Sequence, residues 1–243
     1  MSKLSSLMGL SVNPINKRKR QPNWYDILRE DEIPEKTQKA IKLAKINKTQ
    51  PGSPLPLFAK PGKGEPAQGF VPGEWTRSIV QRPTLGDGPL AYRPGLHAVG
   101  LPIFDQGKVQ LKSGPQRIWL DVDMPAVNPK TQLEADTSPF IKGNTKGQRV
   151  GVQRPLAPDE AYDYKTNPNA SQAAERWPIA GSMKTNRVMS DDEIRDILNS
   201  SGMGHYVDKN LAGIDEKAAE EITRQMMEIR EAVLQYNNLM GVK

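Results

Sequence analysis

Gln116-Arg117-Ile118-Trp119-Leu120-Asp121-Val122-Asp123 is the stretch on which the fold turns. Its alternation puts Ile118, Leu120 and Val122 on one face of an extended strand, with Asp121 and Asp123 together on the opposite, wet face. A half-buried strand needs neighbours for its backbone hydrogen bonds, and further strand-like runs flank it. They are Trp75–Val80, Leu90–Arg93, Lys108–Leu111 and Trp177–Val188. Turn signals at Asp87-Gly88, Ser113-Gly114 and Lys142-Gly143-Asn144 punctuate the region. Residues 124–176 carry Pro and Asn clusters with little periodicity, and read as a long loop with a short helix near Asn169–Glu175.

Towards the C-terminus the pattern becomes helical. Ser190-Asp191-Asp192-Glu193 is a capping box, after which Ile194, Ile197 and Leu198 share a face until Gly202 and Gly204. Asp215 caps a final helix with acids in its first turns. Its residues Ile222, Met226, Ile229, Val233, Tyr236 and Met240 form a coiled-coil-type seam, suited to packing on the body or on a second copy in a homo-oligomer.

Towards the N-terminus, residues 1–23 read as an extended arm holding Lys17-Arg18-Lys19-Arg20, with Trp24, Tyr25, Ile27 and Leu28 as an apolar anchor. Asp31–Asn47 reads as a helix opened by Pro34, with Lys36, Lys39, Lys42 and Lys45 lining one face at three-residue spacing. Residues 49–73, broken by Pro51, Pro54, Pro56, Pro61, Pro66 and Pro72, read as an extended linker that wraps a surface or spans to a partner.

The expected fold is therefore α+β, with a small irregular sheet-containing centre, long Pro/Gly-rich loops, a basic N-terminal arm and C-terminal amphipathic helices. The expected division is an arm with one helix and linker over 1–72, an α+β module over 73–204 and a C-terminal helix over 205–243.

Composition narrows the chemistry. The 243 residues contain no cysteine, which excludes disulfides, thiolate metal sites and a cysteine nucleophile. Only His97 and His205 are present, so no His-rich metal site is expected. No apolar run approaches the roughly 20 residues of a membrane span, and no secretory leader is evident, so the expected location is a reducing cytoplasm or a particle packaged from one. The net charge of +6 is uneven: residues 1–64 hold 13 Lys/Arg against 5 Asp/Glu, and residues 65–243 hold 21 against 23. A basic arm on a near-neutral body points to an electrostatic tether, with Lys17, Arg18, Lys19, Arg20, Lys39 and Lys42 as its binding residues. Its acidic partner would be another protein or non-specifically bound DNA or RNA.

Three patches occur in a familiar order. They are Tyr92-Arg93-Pro94-Gly95-Leu96-His97 followed by Gly100-Leu101-Pro102, then Ile118–Val122, then Tyr164–Asn169 followed by Trp177–Val188. Over roughly residues 70–200 the chain resembles a domain of the large polyvalent proteins of bacteriophages and other mobile elements. It departs from that pattern at Leu96, where the family usually has Trp. The resemblance implies a phage origin, virion or other phage proteins as partners, and the virion or host cytoplasm as location.

Two readings of the centre follow. In one, Tyr92–His97 is a strand entering a Pro-Gly turn, and Arg93 makes structural hydrogen bonds. In the other, Tyr92, Arg93, His97, Trp177, Lys184 and Arg187 line a ligand pocket loosely like that of ADP-ribosyltransferases. Arg93 and His97 would then hold NAD, and Glu175, Asp121 or Asp123 would stabilise the oxocarbenium-like centre. Arg93, Lys184 and Arg187 would form a phosphate-binding cluster if the late strand pairs near the early one. Asp121 and Asp123 are otherwise the solvated side of a strand.

Overall fold

The structure, a computed structural model, describes residues 27–47, 50–56, 70–78, 93–104, 116–141, 149–165 and 176–239. The described strands are β1 (Thr37–Asn47), β2 (Gln50–Pro56), β3 (Trp75–Arg77), β4 (Leu96–His97), β5 (Gln116–Pro125), β6 (Ala161–Lys165), β7 (Arg176–Ala180) and β8 (Ser182–Val188). The helices are α1 (Pro129–Thr137), α2 (Asp191–Ser200), α3 (Val207–Asn210) and α4 (Glu216–Leu239). Mixed helices and antiparallel sheets make the fold α+β.

The alternating stretch is the middle of the larger sheet, whose order is β2-β1-β5-β8-β3. Ile118, Leu120, Val122 and Met124 are fully buried, and Trp119 on the other face is buried as well, so beyond the first two residues of the strand only Asp121 and Asp123 keep partial contact with water. A bulge lets Asp121 oppose Arg187 and Val122 oppose Thr185, with Asn186 as the extra residue.

Residues 31–47 are not a helix. A 3-10 turn at Glu30–Glu32 is followed by an eleven-residue strand paired with β5 from Thr37 to Ile46. The three-residue lysine spacing suggested a helix, but the run also carries apolar residues on both faces at period two. Ala40, Ala44 and Ile46 lie on one face and Ile41 and Leu43 on the other, all buried. Pairing on both sides of the strand rewards that arrangement, while a helix would leave much of it in water.

The linker is likewise drawn into the body where it is described. Residues 50–56 form the edge strand β2, a position that tolerates Pro because the outward N–H is not needed. Helix α4 lies directly on it: a Cβ on Gly52 would come within 2.7 Å of the Gln225 backbone. Phe70 and Val71 are buried too, whereas residues 57–69 lie outside the described residues.

The smaller sheet has the order β4-β7-β6. The Trp177–Val188 run is two strands in two sheets, broken at Gly181. A Cβ there would lie 1.8 Å from the Ala157 carbonyl oxygen, so only glycine lets the chain pass. Beyond β4, Val99 exchanges two backbone hydrogen bonds with Ile41 (2.8 and 2.9 Å), covering the edge of β1 that β2 leaves open.

The expected loop over 124–176 contains α1 and β6. The start of α1 was legible in Asn128-Pro129: the Asn128 side chain accepts from the N–H groups of Lys130 and Thr131, and Pro129 fills the first turn. Tyr162 and Tyr164 of β6 pack with Val152, Leu156 and Ile179 in a second, smaller core. Of the expected strand over 90–93 only Arg93 is described, and it is not part of a strand; the expected strand over 108–111, the three turn signals and the helix near 169–175 lie outside the described residues.

The C-terminal helices form as expected. The Ser190 hydroxyl accepts from Glu193 N–H and the Glu193 carboxylate from Ser190 N–H, while Ile194 and Leu198 are fully buried. Asp215 accepts from Ala218 N–H at 2.7 Å. Along α4, Ile222, Met226 and Val233 are buried against the protein's own body, while Tyr236 and Leu239 are exposed. No helix among the described residues is long and apolar enough to cross a membrane.

Candidate functional site

The predicted pocket residues gather only in part. Gly95, with φ +132°, turns the chain from Arg93 into the short strand β4, which pairs with β7 through Leu96–Ala180 and His97–Ile179. This places His97 at the junction of the two sheets. The Lys42 ammonium, reaching over from β1, donates to the His97 carbonyl. The His97 ring turns back, with Nε2 2.9 Å from the Arg93 carbonyl oxygen. A carbonyl can only accept, so Nε2 carries the proton. The Arg93 guanidinium lies 3.4 Å from the centroid of the Tyr164 ring and donates from Nη2 to the Arg149 carbonyl at 3.0 Å.

Burial dominates the electrostatics of this relay. Lys42 is only 6% exposed, and loss of hydration pushes its pKa down to about 8. Burial also pushes His97 down to about 4, helped by the neighbouring Lys42 and Arg93 charges against the opposing bond to the Arg93 carbonyl. Arg93 is lowered by burial, partly offset by Tyr164 and Tyr162. The relay fastens the β4 turn to β1 and to β6, which is the structural reading of Arg93.

The remaining pocket residues lie elsewhere. Trp177 is half-buried opposite Tyr164. Lys184 and Arg187 are on β8 in the larger sheet, so the expected cationic cluster with Arg93 does not form. Arg187 makes a two-pronged pair with Glu193 (2.6 and 2.7 Å) and approaches Asp121 at 3.8 Å. Asp121 and Asp123 also hold Lys39, at 3.7 and 2.8 Å, across the β1–β5 ladder. These carboxylates are the solvated row of a strand and face neither Arg93 nor His97. Tyr92 and Glu175 lie outside the described residues.

The binding lysines divide as well. Lys39 is exposed but committed to Asp121 and Asp123, and buried Lys42 cannot meet a phosphate backbone. Lys17, Arg18, Lys19 and Arg20 lie outside the described residues, and so do Trp24 and Tyr25. The first described residues lie on the body: Ile27 bridges to Thr76, and the Leu28 N–H donates to the Trp75 carbonyl at 2.9 Å. Both contacts extend the larger sheet beyond β3.

An open groove of about 550 Å³ lies apart from the relay, between residues 31–36, 126–129 and 158–159. Sequence reading missed it because it is assembled from three separated segments. Its acids, Asp31, Glu32, Glu35 and Asp159, outnumber its one base, Lys36. Compared with known protein families, curated proteins and solved structures, the chain finds no match.

Proposed function

We propose that this chain is a bacteriophage interaction protein, associated with the virion or its packaged DNA through its basic N-terminal segment. The observation that carries the reading is the distribution of charge once the fold is known. Lys39 and Lys42 are committed within the body, while Lys17-Arg18-Lys19-Arg20 precedes the Ile27 anchor. Residues 1–26 hold five Lys/Arg against one Asp, and in this reading they carry the tether. The resemblance over residues 70–200 supplies the phage context, with the two-sheet body as the docking module.

Lys and Arg that neutralise phosphates release condensed counterions, so affinity for duplex DNA falls linearly on a logarithmic salt scale. The test is fluorescence anisotropy with a random-sequence duplex from 50 to 200 mM salt, over which several phosphate contacts should cost roughly tenfold or more in affinity. Replacing Lys17, Arg18, Lys19 and Arg20 by Ala should remove both the binding and its salt slope. A flat salt response in the unsubstituted chain, or unchanged binding by the fourfold variant, overturns the reading.

A further inference from the structure

The edge of β1 opposite β5 is covered piecemeal. β2 pairs it only from Ala44 to Asn47. Further back, among the described residues, only Val99 meets it, exchanging two backbone hydrogen bonds with Ile41. Two positions before Val99, the His97 carbonyl takes the Lys42 ammonium. The residue whose carbonyl ties β4 to β1 therefore also carries an imidazole, a ring that gains a charge in mildly acid solution. We propose that His97 is an acid-operated latch: a second proton on its ring frees β4 from β1 and opens the β1 edge at Ile41, while the rest of the larger sheet stays paired. The latch is independent of the basic tether.

The surroundings of the ring set the direction. Nε2 donates to the Arg93 carbonyl, so a second proton goes to Nδ1. Two cations act on the ring, Lys42 from β1 and Arg93 from the segment before β4, and both oppose that proton. β7 presents Ile179, the ladder partner of His97, while β6 presents Tyr162 beside Ile179 and Tyr164 against Arg93; none of the three is charged in acid. No carboxylate among the described residues acts on the ring. An imidazolium and the Lys42 ammonium repel each other across the contact that holds β4 in place. When β4 moves away, the half-buried ring meets water and its charge is hydrated.

The pairing of the sheet limits what is released. β5 is bonded to β1 from Thr37 to Ile46 and to β8 on its other side, so its ladders do not run through β4. The Val99–Ile41 bridge is an isolated pair with no ladder behind it. Burial, aided by the two cations, holds the His97 ring at about 4 in the closed form, against an ordinary value of 6.5 once it is hydrated. Over that interval the open form binds more protons, so falling pH favours it.

Amide exchange followed by NMR on the full-length chain, with rates corrected for their intrinsic pH dependence, tests the latch. Between pH 6.5 and 4.5 protection at Ile41 and Val99 should fall by at least about tenfold. At each pH it should lie at least about tenfold below that of Leu120 and Val122 in β5, and low urea should leave it unchanged, as for an opening that exposes little surface. His97→Gln keeps a side-chain N–H for the Arg93 carbonyl and cannot titrate, so its Ile41 and Val99 amides should lose no protection over this range. The chain has only two histidines, so the His97 ring signal can also be followed in the unsubstituted protein.

Protection at Ile41 and Val99 that ignores pH, or that falls equally in His97→Gln, overturns the latch. So does exchange at these two amides with the protection and urea dependence of β5, which would mean that the edge opens only when the whole chain unfolds. Should His97→Gln fail to fold, the ring signal decides: a ring that titrates at its ordinary value while Ile41 and Val99 stay protected rules the latch out.

Discussion

The carboxamide of Gln132 satisfies both backbone groups of Asp163, accepting from its N–H at 2.8 Å and donating to its carbonyl at 3.2 Å. One side chain of α1 thus stands in for a neighbouring strand along the outer edge of β6. The Ala161 carbonyl on the same edge is taken by Asn128 N–H. An edge strand with free N–H and C=O groups is a template for pairing with another chain.

Gln132→Ala should therefore do two things. It should lower stability by about 1–2 kcal/mol through loss of both bonds. It should also promote self-association with rising concentration. Denaturant titration reads the first effect and sedimentation velocity the second; a variant that stays as stable and as monodisperse as the parent contradicts the role of Gln132.

Two glycines separate want of space from backbone strain. At Gly181 a Cβ would sit 1.8 Å from the Ala157 oxygen, against backbone that cannot step aside. At Gly202 nothing lies within 4 Å, but φ is +73°. Gly181→Ala should cost more than about 3 kcal/mol or prevent folding, while Gly202→Ala should cost only about 1 kcal/mol. Equal melting temperatures for the two variants would show that the sheets can part at Gly181.

The Lys42–His97 junction should make stability depend on pH in two separate windows. The folded-state pKa of Lys42 is about 8, below its usual 10.5. Between these values the unfolded chain holds more protons, so stability rises with pH, by at most about 3 kcal/mol. His97, at about 4 instead of 6.5, gives the same sign at lower pH. Stability should fall as pH drops from about 6.5 to 4, by roughly 2 kcal/mol given the ring's partial exposure. Denaturant midpoints across pH 4–10 test both windows: Lys42→Met should flatten the alkaline rise and, by removing a charge that lowers His97, soften the acidic fall, whereas His97→Gln should flatten the acidic fall alone.

Asp191 fastens the loop between α3 and α4 to the start of α2. Its carboxylate accepts from the N–H groups of Ala212, Gly213 and Ile214 at 2.7, 2.8 and 3.2 Å. Asp191→Ala should strip three charge-assisted bonds and cost about 2–3 kcal/mol. Amide exchange at Ala212–Ile214 should quicken well before that of the sheet. Unchanged protection at these three amides would show that apolar packing of Ala212 and Ile214 holds the loop unaided.

Residues whose structure depends on near neighbours were readable from the chain alone. The Ser190–Glu193 capping box, the Asp215 cap, the α4 seam and the alternation of β5 rest on bonds or periodicities a few positions long. Asn128-Pro129, the start of α1, is an equally local signal. The Arg93 turn could be read as structural, but its partners could not be named, because Lys42, Tyr164 and Arg149 reach it from distant parts of the chain. The groove acids were similarly scattered over three segments.

By itself the sequence determined the α+β class, the C-terminal helices and the excess of positive charge in residues 1–64. Only the tertiary structure decided that Thr37–Asn47 is a strand, that Lys42 is interior, and that the Trp177–Val188 run divides between two sheets. Sheet pairing is a long-range bargain: β1 becomes a strand because β5, β2 and Val99 meet its backbone groups and both its faces are covered. β5 and Val99 lie far outside the window that local periodicity can see, and β2, though it follows β1 directly, is a Pro-rich run without strand periodicity.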